Sequence, residues 1–201
     1  MEAFLNIIVI IMIGYITVWI TLFLHEFSHA FFGWLFGVCK SPVSIGYLPV
    51  VKLPMTPLLE EIEMNKLSKS KQLLIHSGGL LMNLFLFISA SLLLFNNTSI
   101  FTEYSRMFIL LFIVSNFAEL ESYMTFGAIR PISDVKFILE LINQQRWSIY
   151  ITGILMLITG IYFLCTSLLQ KNEYGYSIYF IAFYGIACSS RIILTRPSSK
   201  I

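Results

Sequence analysis

The sequence predicts an all-α membrane protein with about five transmembrane helices and a short cytoplasmic β-hairpin region. Hydrophobic residues make up 57% of the 201 residues and charged residues only 12%, whereas soluble domains carry about 25% charged residues. The mean hydropathy is +0.81. A helix needs about 20 apolar residues to cross the hydrocarbon core of a bilayer. Five segments provide that length: 3–36, 73–95, 105–126, 148–169 and 176–194.

The first apolar segment, 3–36, is too long for one perpendicular span. We expect its C-terminal part to emerge at the membrane interface or to be interrupted near Gly33 and Gly37. The N-terminus has neither a positively charged stretch nor a small-residue cleavage site. The segment is therefore predicted to be a retained helix and not a signal peptide.

A metal-binding pattern lies inside this first segment, where residues 25–29 read H-E-x-x-H. On an α-helix, positions four apart differ by about 400° of rotation and about 6 Å of rise, so His25 and His29 project from nearly the same face. Both imidazoles could bind one tetrahedral Zn²⁺. Glu26 is not needed as a ligand and can take a proton from water at the metal. The motif predicts two zinc ligands and a general base.

The apolar setting of the motif favours a metal site over a chance pattern. Histidine and glutamate are costly to bury in a membrane and persist there mainly where they pair, ligate a metal or line a polar cavity. No paired cysteine spacing offers another site, because Cys39, Cys165 and Cys188 form no C-x-x-C motif.

The loop region 37–72 is predicted to contain short strands. Residues 44–54 mix β-branched residues with Gly and Pro, which favours a hairpin over a helix. An exposed strand edge beside such a metal site can bind an extended peptide as an added strand. The alternative is that this region only connects the first two spans and binds no substrate.

The second span opens with polar and small residues that predict close contacts. Gly78 and Gly79 let another backbone approach, and Asn83 must hydrogen-bond within the membrane. We predict that the Asn83 amide holds substrate near the metal. His76 is a further candidate ligand, although its place near the interface favours a solvated histidine.

A catalytic zinc usually has three protein ligands and one open position. Our first choice for the third ligand is Asp134, because Pro131 interrupts helical structure and could return the backbone toward the site. The competitors are Glu119 and Glu121, since both are carboxylates within the third apolar segment or at its end.

The distribution of Lys and Arg predicts the orientation in the membrane, since positively charged loops stay in the cytoplasm. Of the 13 cationic residues, Arg106 and Lys171 fall on one side and the rest on the other. We predict a multi-pass cell-membrane protein whose N-terminus is outside and whose C-terminus is cytoplasmic. The H-E-x-x-H motif then lies toward the cytoplasmic side. The cytoplasmic cations are Lys40, Lys52, Lys66, Lys69, Lys71, Arg130, Lys136, Arg146, Arg191, Arg196 and Lys200.

Three segments carry a family resemblance. Residues 25–38 read HEFSHAFFGWLFGV, residues 44–49 read SIGYLP and residues 78–83 read GGLLMN. In this order they resemble the H-E-x-x-H helix, the Ser-Ile-Gly-aromatic strand and the Gly-Pro-x-x-Asn element of the site-2 protease family of intramembrane zinc metalloproteases. Leu80 stands where that family has Pro, and Val135 stands where it has Gly.

The resemblance implies one membrane metalloprotease domain over residues 1–201. Its core is expected at about 1–140, with a three-helix catalytic centre in the first three spans and additional helices at about 148–169 and 176–194. The resemblance also implies that water reaches the site from the cytoplasm.

The resemblance assigns roles to single residues. It implies that His25, His29 and an Asp bind Zn²⁺, that Glu26 activates water and that Asn83 positions substrate. The expected reaction is hydrolysis of a peptide bond in or near a transmembrane segment of a membrane protein or small precursor peptide. Expected partners are that membrane-embedded substrate, the lipid bilayer and a regulatory membrane protein. No nucleic acid is expected.

Two other functions fit parts of the pattern. One is a non-catalytic metal- or peptide-binding membrane protein, such as an inactive relative or a transporter component. Glu26 argues against it, because metal binding alone does not need this carboxylate. The other is a membrane protease with two His and one Glu ligand that acts on prenylated or short peptides. Glu119 or Glu121 as ligand would favour that alternative.

Overall fold

The part of the chain that the structure describes is mostly helical and includes a small two-stranded sheet. The computed structural model describes residues 2–47, 54–96, 101–129, 133–143 and 145–168. Within these ranges, four helical stretches are long and apolar enough to cross a membrane: Ile8–Leu35, Lys69–Asn96, Glu103–Ala128 and Arg146–Ser167. The predicted helical fold with a small pair of strands is confirmed, and the four stretches are compatible with the predicted membrane protein. The fifth predicted span, 176–194, lies outside the described residues, so the count of five stays a prediction.

Seven α-helices and two strands follow one another along the described chain. They are α1 (Glu2–Leu35), β1 (Ile45–Tyr47), β2 (Pro54–Pro57), α2 (Glu61–Asn65), α3 (Lys69–Asn96), α4 (Glu103–Met124), α5 (Phe126–Ile129), α6 (Ser133–Ile142) and α7 (Arg146–Phe163), which continues as a π-helical turn (Leu164–Leu168).

Helix α1 is continuous over 34 residues, which corresponds to a length of about 51 Å. The helix continues through Gly33, so the predicted interruption there does not occur. This glycine instead allows close packing, since a Cβ there would lie 2.6 Å from the Leu59 side chain. The helix ends instead at Leu35, two residues before Gly37, whose φ is +78°. The Val38 amide donates to the Gly33 carbonyl at 2.7 Å and the Gly37 amide to the Trp34 carbonyl at 3.1 Å. This pair of bonds is the Schellman ending that favours glycine.

The predicted hairpin is present after α1. Strands β1 and β2 pair antiparallel, with Ile45 opposite Pro57 and an irregularity between Gly46 and Tyr47. Residues 48–53, between the strands, lie outside the described residues. Ile45 is buried in a cluster with Ala30 of α1 and Cys39. The sheet is therefore anchored to the helix that carries the H-E-x-x-H motif.

The chain divides into two compact units, residues 1–116 and 117–201. In the first unit, α1 and α3 approach closely at Gly78, where a Cβ would lie 3.0 Å from the Phe32 ring and 3.1 Å from Ser28 Oγ. Ser28 Oγ also donates to the Gly78 carbonyl at 2.9 Å. The helix with the motif is thus held against the helix with the glycine pair.

The second unit contains α5, α6 and α7. Its buried cluster joins Ala128 of α5 to Val135 and Leu139 of α6, with Ile149 of α7 packed against them. Gly153 of α7 permits close approach to Met124, since a Cβ there would lie 3.0 Å from the Met124 backbone. Pro131, predicted to turn the backbone, lies outside the described residues.

Candidate metal centre

The H-E-x-x-H motif forms a buried polar site in the C-terminal part of the apolar helix α1. The side chains of His25, Glu26 and His29 are 0%, 3% and 2% exposed. The two imidazoles stand on the same face of α1, and their Nε2 atoms lie 3.2 Å apart. Two nitrogen donors therefore converge on one point, as the spacing of four residues dictates on a helix.

Helix α3 fixes the orientation of both imidazoles. His29 Nδ1 donates to the Ile75 carbonyl at 2.6 Å, which puts the ring proton on Nδ1 and leaves a lone pair on Nε2. His25 Nδ1 lies 3.0 Å from Asn83 Nδ2. Metal-binding histidines commonly use their second nitrogen in such a contact. Each imidazole is thus held by one group from α3.

Gly79 of α3 lies against the converging nitrogens. A Cβ at this position would overlap His25 Nε2 and His29 Nε2, so any other residue would have to displace the two rings. Ile75, Gly79 and Asn83 are spaced by four residues, which places all three on one face of α3. Gly78 serves helix packing, whereas Gly79 makes room at the site.

A carboxylate completes a three-residue group. Asp134, in the first turn of α6, is 8% exposed. The candidate ligand atoms of His25, His29 and Asp134 all lie within 4.8 Å of one another, and the group could hold a metal ion. The competing residues are not in this group. Glu119 and Glu121 are buried in α4, and His76 is a half-buried residue of α3.

The donor set fits a divalent transition metal. Two nitrogen ligands of a tetrahedral zinc, with bonds of about 2.0 to 2.1 Å, are separated by about 3.3 Å, and the observed separation of the two Nε2 atoms is 3.2 Å. Two imidazoles and one carboxylate suit catalytic zinc, but the same set also serves Fe²⁺ in other enzymes. The residues could hold a metal ion, and the choice of zinc needs a further argument.

A second pair of polar residues, which sequence reasoning missed, extends the site along α1. Asn116 Nδ2 donates to Thr21 Oγ1 at 3.3 Å and to the Phe112 carbonyl at 2.8 Å. Thr21 lies one helical turn before His25, and both Thr21 and Asn116 are fully buried. Thr21 follows the same spacing of four as the histidines, which is the signal that the sequence offered. The polar face of α1 is therefore longer than the motif.

Comparisons of the chain with protein-family models, with curated proteins and with solved structures found no match. The resemblance to the site-2 protease family therefore stands on the three sequence segments alone.

Proposed function

We propose that this protein is an intramembrane zinc endopeptidase that cleaves a peptide bond in or near a transmembrane segment of a membrane protein or small precursor peptide. One observation carries the proposal: a buried H-E-x-x-H motif, in a helix able to span a membrane, supplies with Asp134 a group of ligand atoms that could hold a metal ion.

Zinc is proposed because of Glu26. His25, His29 and Asp134 would hold the ion, and Glu26 follows the first histidine in the order used by zinc peptidases. When bound, zinc would polarise the scissile carbonyl and make water a nucleophile near neutral pH. Metal binding alone needs no carboxylate at position 26, which disfavours a purely metal-binding protein.

Glu26 is assigned the proton transfers. Its carboxylate accepts a proton from the attacking water as the water oxygen bonds to the carbonyl carbon. The same carboxyl then gives that proton to the leaving amine nitrogen as the C–N bond breaks. Its burial, at 3% exposure, keeps bulk water from competing for the proton. One residue thus serves as base and then as acid.

Substrate access requires local unwinding of the substrate, because helical hydrogen bonds occupy the carbonyl groups. We expect residues that weaken a helix near the scissile bond. The β1–β2 hairpin supports a role in holding the unwound segment, since it packs on α1 through Ile45 and Ala30 and a strand edge can pair with an extended chain.

The proposed orientation has the N-terminus outside, the C-terminus in the cytoplasm and the site toward the cytoplasm. It is supported by the exposed lysines Lys40 and Lys66 between α1 and α3 and by Lys69 and Lys71 in the first turn of α3. A regulatory membrane protein is a further proposed partner, in addition to substrate and lipid.

Glu26→Gln tests the proposal even while the substrate is unidentified. Wild type, Glu26→Gln and the control Glu61→Gln, an exposed carboxylate of α2, are expressed in the same membranes. Mass spectrometry then compares the termini of all membrane peptides. We expect cleavage products in wild type and control that fall about 10²- to 10⁴-fold in Glu26→Gln.

The same variant also separates catalysis from metal binding. Glu26→Gln should retain zinc and trap uncleaved peptides for sequencing. Identical peptide termini in wild type and Glu26→Gln would reject the protease and leave a metal- or peptide-binding protein.

A further inference from the structure

Helix α4 carries a buried hydrogen-bond acceptor that no contact satisfies. Asn116 is fully buried, and its Oδ1 has no hydrogen-bond partner among the described residues. The orientation of its amide is fixed by the Phe112 carbonyl, which lies 2.8 Å from Asn116 Nδ2 and can only accept a hydrogen bond. The atom without a partner is therefore the oxygen. Because buried polar groups are normally hydrogen-bonded, this oxygen indicates a ligand that donates.

Thr21 of α1 supplies a donor beside this acceptor. Its Oγ1 accepts from Asn116 Nδ2 at 3.3 Å, so its own hydrogen is left to donate to another group. Thr17, on the same face of α1, differs, because its hydroxyl donates to the Gly14 carbonyl of its own helix at 2.8 Å. Thr21 and Asn116 together offer one donor and one acceptor. The N–H and C=O of a peptide backbone are the complement of this pair.

Both residues lie at the middle of a candidate membrane span. Thr21 follows Ile8 by 13 residues and precedes Leu35 by 14, while Asn116 lies 13 and 12 residues from the two ends of 103–128. They also belong to one compact unit, residues 1–116. The bilayer core has no water to satisfy polar groups, and polar residues at that depth often mark a substrate path. The pair is therefore a polar site inside the membrane.

The main chain of an unwound membrane segment is the ligand that fits this site. Helical hydrogen bonds satisfy the N–H and C=O groups of a span, and unwinding exposes both kinds of group within the hydrocarbon core. Each exposed group then needs a protein partner, because burial without a hydrogen bond is costly. Lipid acyl chains have no donor to offer, whereas each residue of an extended peptide other than proline has one.

The spacing along α1 gives the position of the contact. Thr21 precedes His25 by four residues, a rise of about 6 Å. An extended chain advances about 3.3 Å per residue, so about two residues separate a peptide group at Thr21 from one at the metal.

We propose that Thr21 and Asn116 bind the main chain of the unwound substrate about two residues from the scissile bond, on the side farther from the cytoplasm. Asn116 Oδ1 accepts from the substrate N–H, and the Thr21 hydroxyl donates to a substrate C=O. The inference rests on the proposed function and names a substrate contact of the same site. The contact sets the register of the substrate and requires no particular side chain.

One consequence concerns proline. Residues that weaken a helix favour unwinding near the scissile bond, but a proline about two residues away has no N–H for Asn116 Oδ1. We expect glycine at that substrate position to be accepted and proline to be rejected. Asn116→Leu should remove this difference between glycine and proline.

Peptide hydroxamates test the contact without a known substrate, because the hydroxamate binds zinc and the attached peptide extends from it. The two probes are acetyl-trileucine hydroxamate and a trileucine amide with the hydroxamate on an N-terminal succinyl group, so that each chain direction is represented. Analogues replace one N–H at a time by an ester oxygen. Calorimetry measures binding to the zinc-loaded, full-length protein in detergent.

We expect one ester replacement, about two residues from the hydroxamate, to weaken binding to wild type by about 5- to 10-fold, the effect of one hydrogen bond. The same replacement should change binding to Asn116→Leu by less than about 2-fold, as in a double-mutant cycle. Each comparison is made within one protein, so a general loss of stability in a variant does not affect it. Ester effects of equal size in both proteins at every position would overturn the inference.

Matched variants distinguish the pair from neighbouring buried hydroxyls. Thr21→Val removes the donor and nearly keeps the shape, so both probes should be tested on it as well, and we expect binding of the outward-reaching probe to fall about 5- to 10-fold. Thr21→Ser keeps the hydroxyl and should bind like wild type. The controls are Thr17→Val and Ser115→Ala, whose hydroxyls donate to carbonyls of their own helices. Equal losses in Thr17→Val and Thr21→Val would contradict the assignment.

These probes need no hydrolysis, so the two proposals can fail separately. If Glu26→Gln abolishes cleavage but the ester effects do not depend on Asn116, the protease stands and this inference is overturned. If the ester effect depends on Asn116 but membrane peptides are the same in wild type and Glu26→Gln, the peptide contact stands and the protease is rejected. Wild type that binds zinc but neither hydroxamate would overturn the inference.

Discussion

The two histidines and the carboxylate of the candidate metal centre come from regions of different construction. His25 and His29 share one 34-residue helix, and α3 contacts both rings. Asp134 lies in the first turn of α6, a helix of 10 residues, beside the buried Val135. The positions of the two imidazoles are thus fixed by helical spacing and by contacts with α3. The position of the Asp134 carboxylate depends instead on where the short helix α6 begins. Different changes should disturb each region.

The largest effect should follow from filling the space beside the imidazoles. Gly79→Ala places a methyl group where His25 Nε2 and His29 Nε2 lie. Alanine is favourable in a helix by about 1 kcal/mol over glycine, so α3 should persist while the metal site is blocked. We expect zinc affinity to fall by more than about 100-fold, beyond the usual outer-shell effect.

Gly78→Ala is the matched control for that variant. Its Cβ would press on Phe32 and Ser28 at 3.0 and 3.1 Å, away from the metal ligands. We expect a loss of stability of about 1 to 3 kcal/mol from overpacking, with zinc binding retained. Zinc titration and thermal unfolding in detergent measure both effects. Equal zinc affinity in the two variants would contradict the assignment of Gly79 to the site.

Removal of the carboxylate tests the other region. Asp134→Asn keeps the shape of the side chain but removes its charge, and we expect zinc affinity to fall by more than the roughly 10- to 100-fold of an outer-shell change. Glu121→Gln is the control, since Glu121 is a buried carboxylate outside the three-residue group. Metal analysis of the two purified variants measures how much zinc each one retains. Zinc retained in Asp134→Asn and lost in Glu121→Gln would transfer the third ligand to α4.

A smaller effect is expected at the end of α1. Gly37 has a φ of +78°, and a Cβ added there would meet no atom within 4 Å, so Gly37→Ala should cost about 1 to 2 kcal/mol by backbone strain alone. Gly37→Asn should cost less, because asparagine tolerates this conformation. Unfolding experiments in detergent measure the loss of stability in both variants relative to wild type. Equal stability of all three proteins would show that the helix ending contributes nothing.

The smallest effect should come from the hydrogen bond between α1 and α3. Ser28→Ala removes the bond from Ser28 Oγ to the Gly78 carbonyl, which is worth about 1 kcal/mol. Zinc affinity should not change, because this bond involves neither imidazole. Loss of zinc in this variant would mean that the spacing of the two helices controls the imidazole pair.

The sequence was informative wherever helical spacing decides the structure. The period of the helix places His25 beside His29, and the Gly and Pro content of residues 44–54 predicted the hairpin. Gly33 shows the limit, since glycine weakens a helix but here serves a contact with Leu59 that only the folded chain reveals.

Tertiary contacts account for what the sequence could not provide. No periodicity relates position 134 to position 25, so Asp134 could be chosen only on chemical grounds. Likewise Asn83 was assigned to substrate, because the contact with His25 depends on which face of α3 meets α1. The pair Thr21 and Asn116 was missed for the same reason.

X-ray absorption at the zinc edge of the purified full-length protein tests the central claim most directly. We expect one zinc per chain, bound by two imidazole nitrogens and by oxygen at about 2.0 to 2.1 Å. The spectrum should be unchanged in Glu26→Gln, which is no ligand, and should lose an oxygen ligand or the metal itself in Asp134→Ala. A third imidazole, a sulfur ligand, or a spectrum that does not respond to Asp134→Ala would contradict the account.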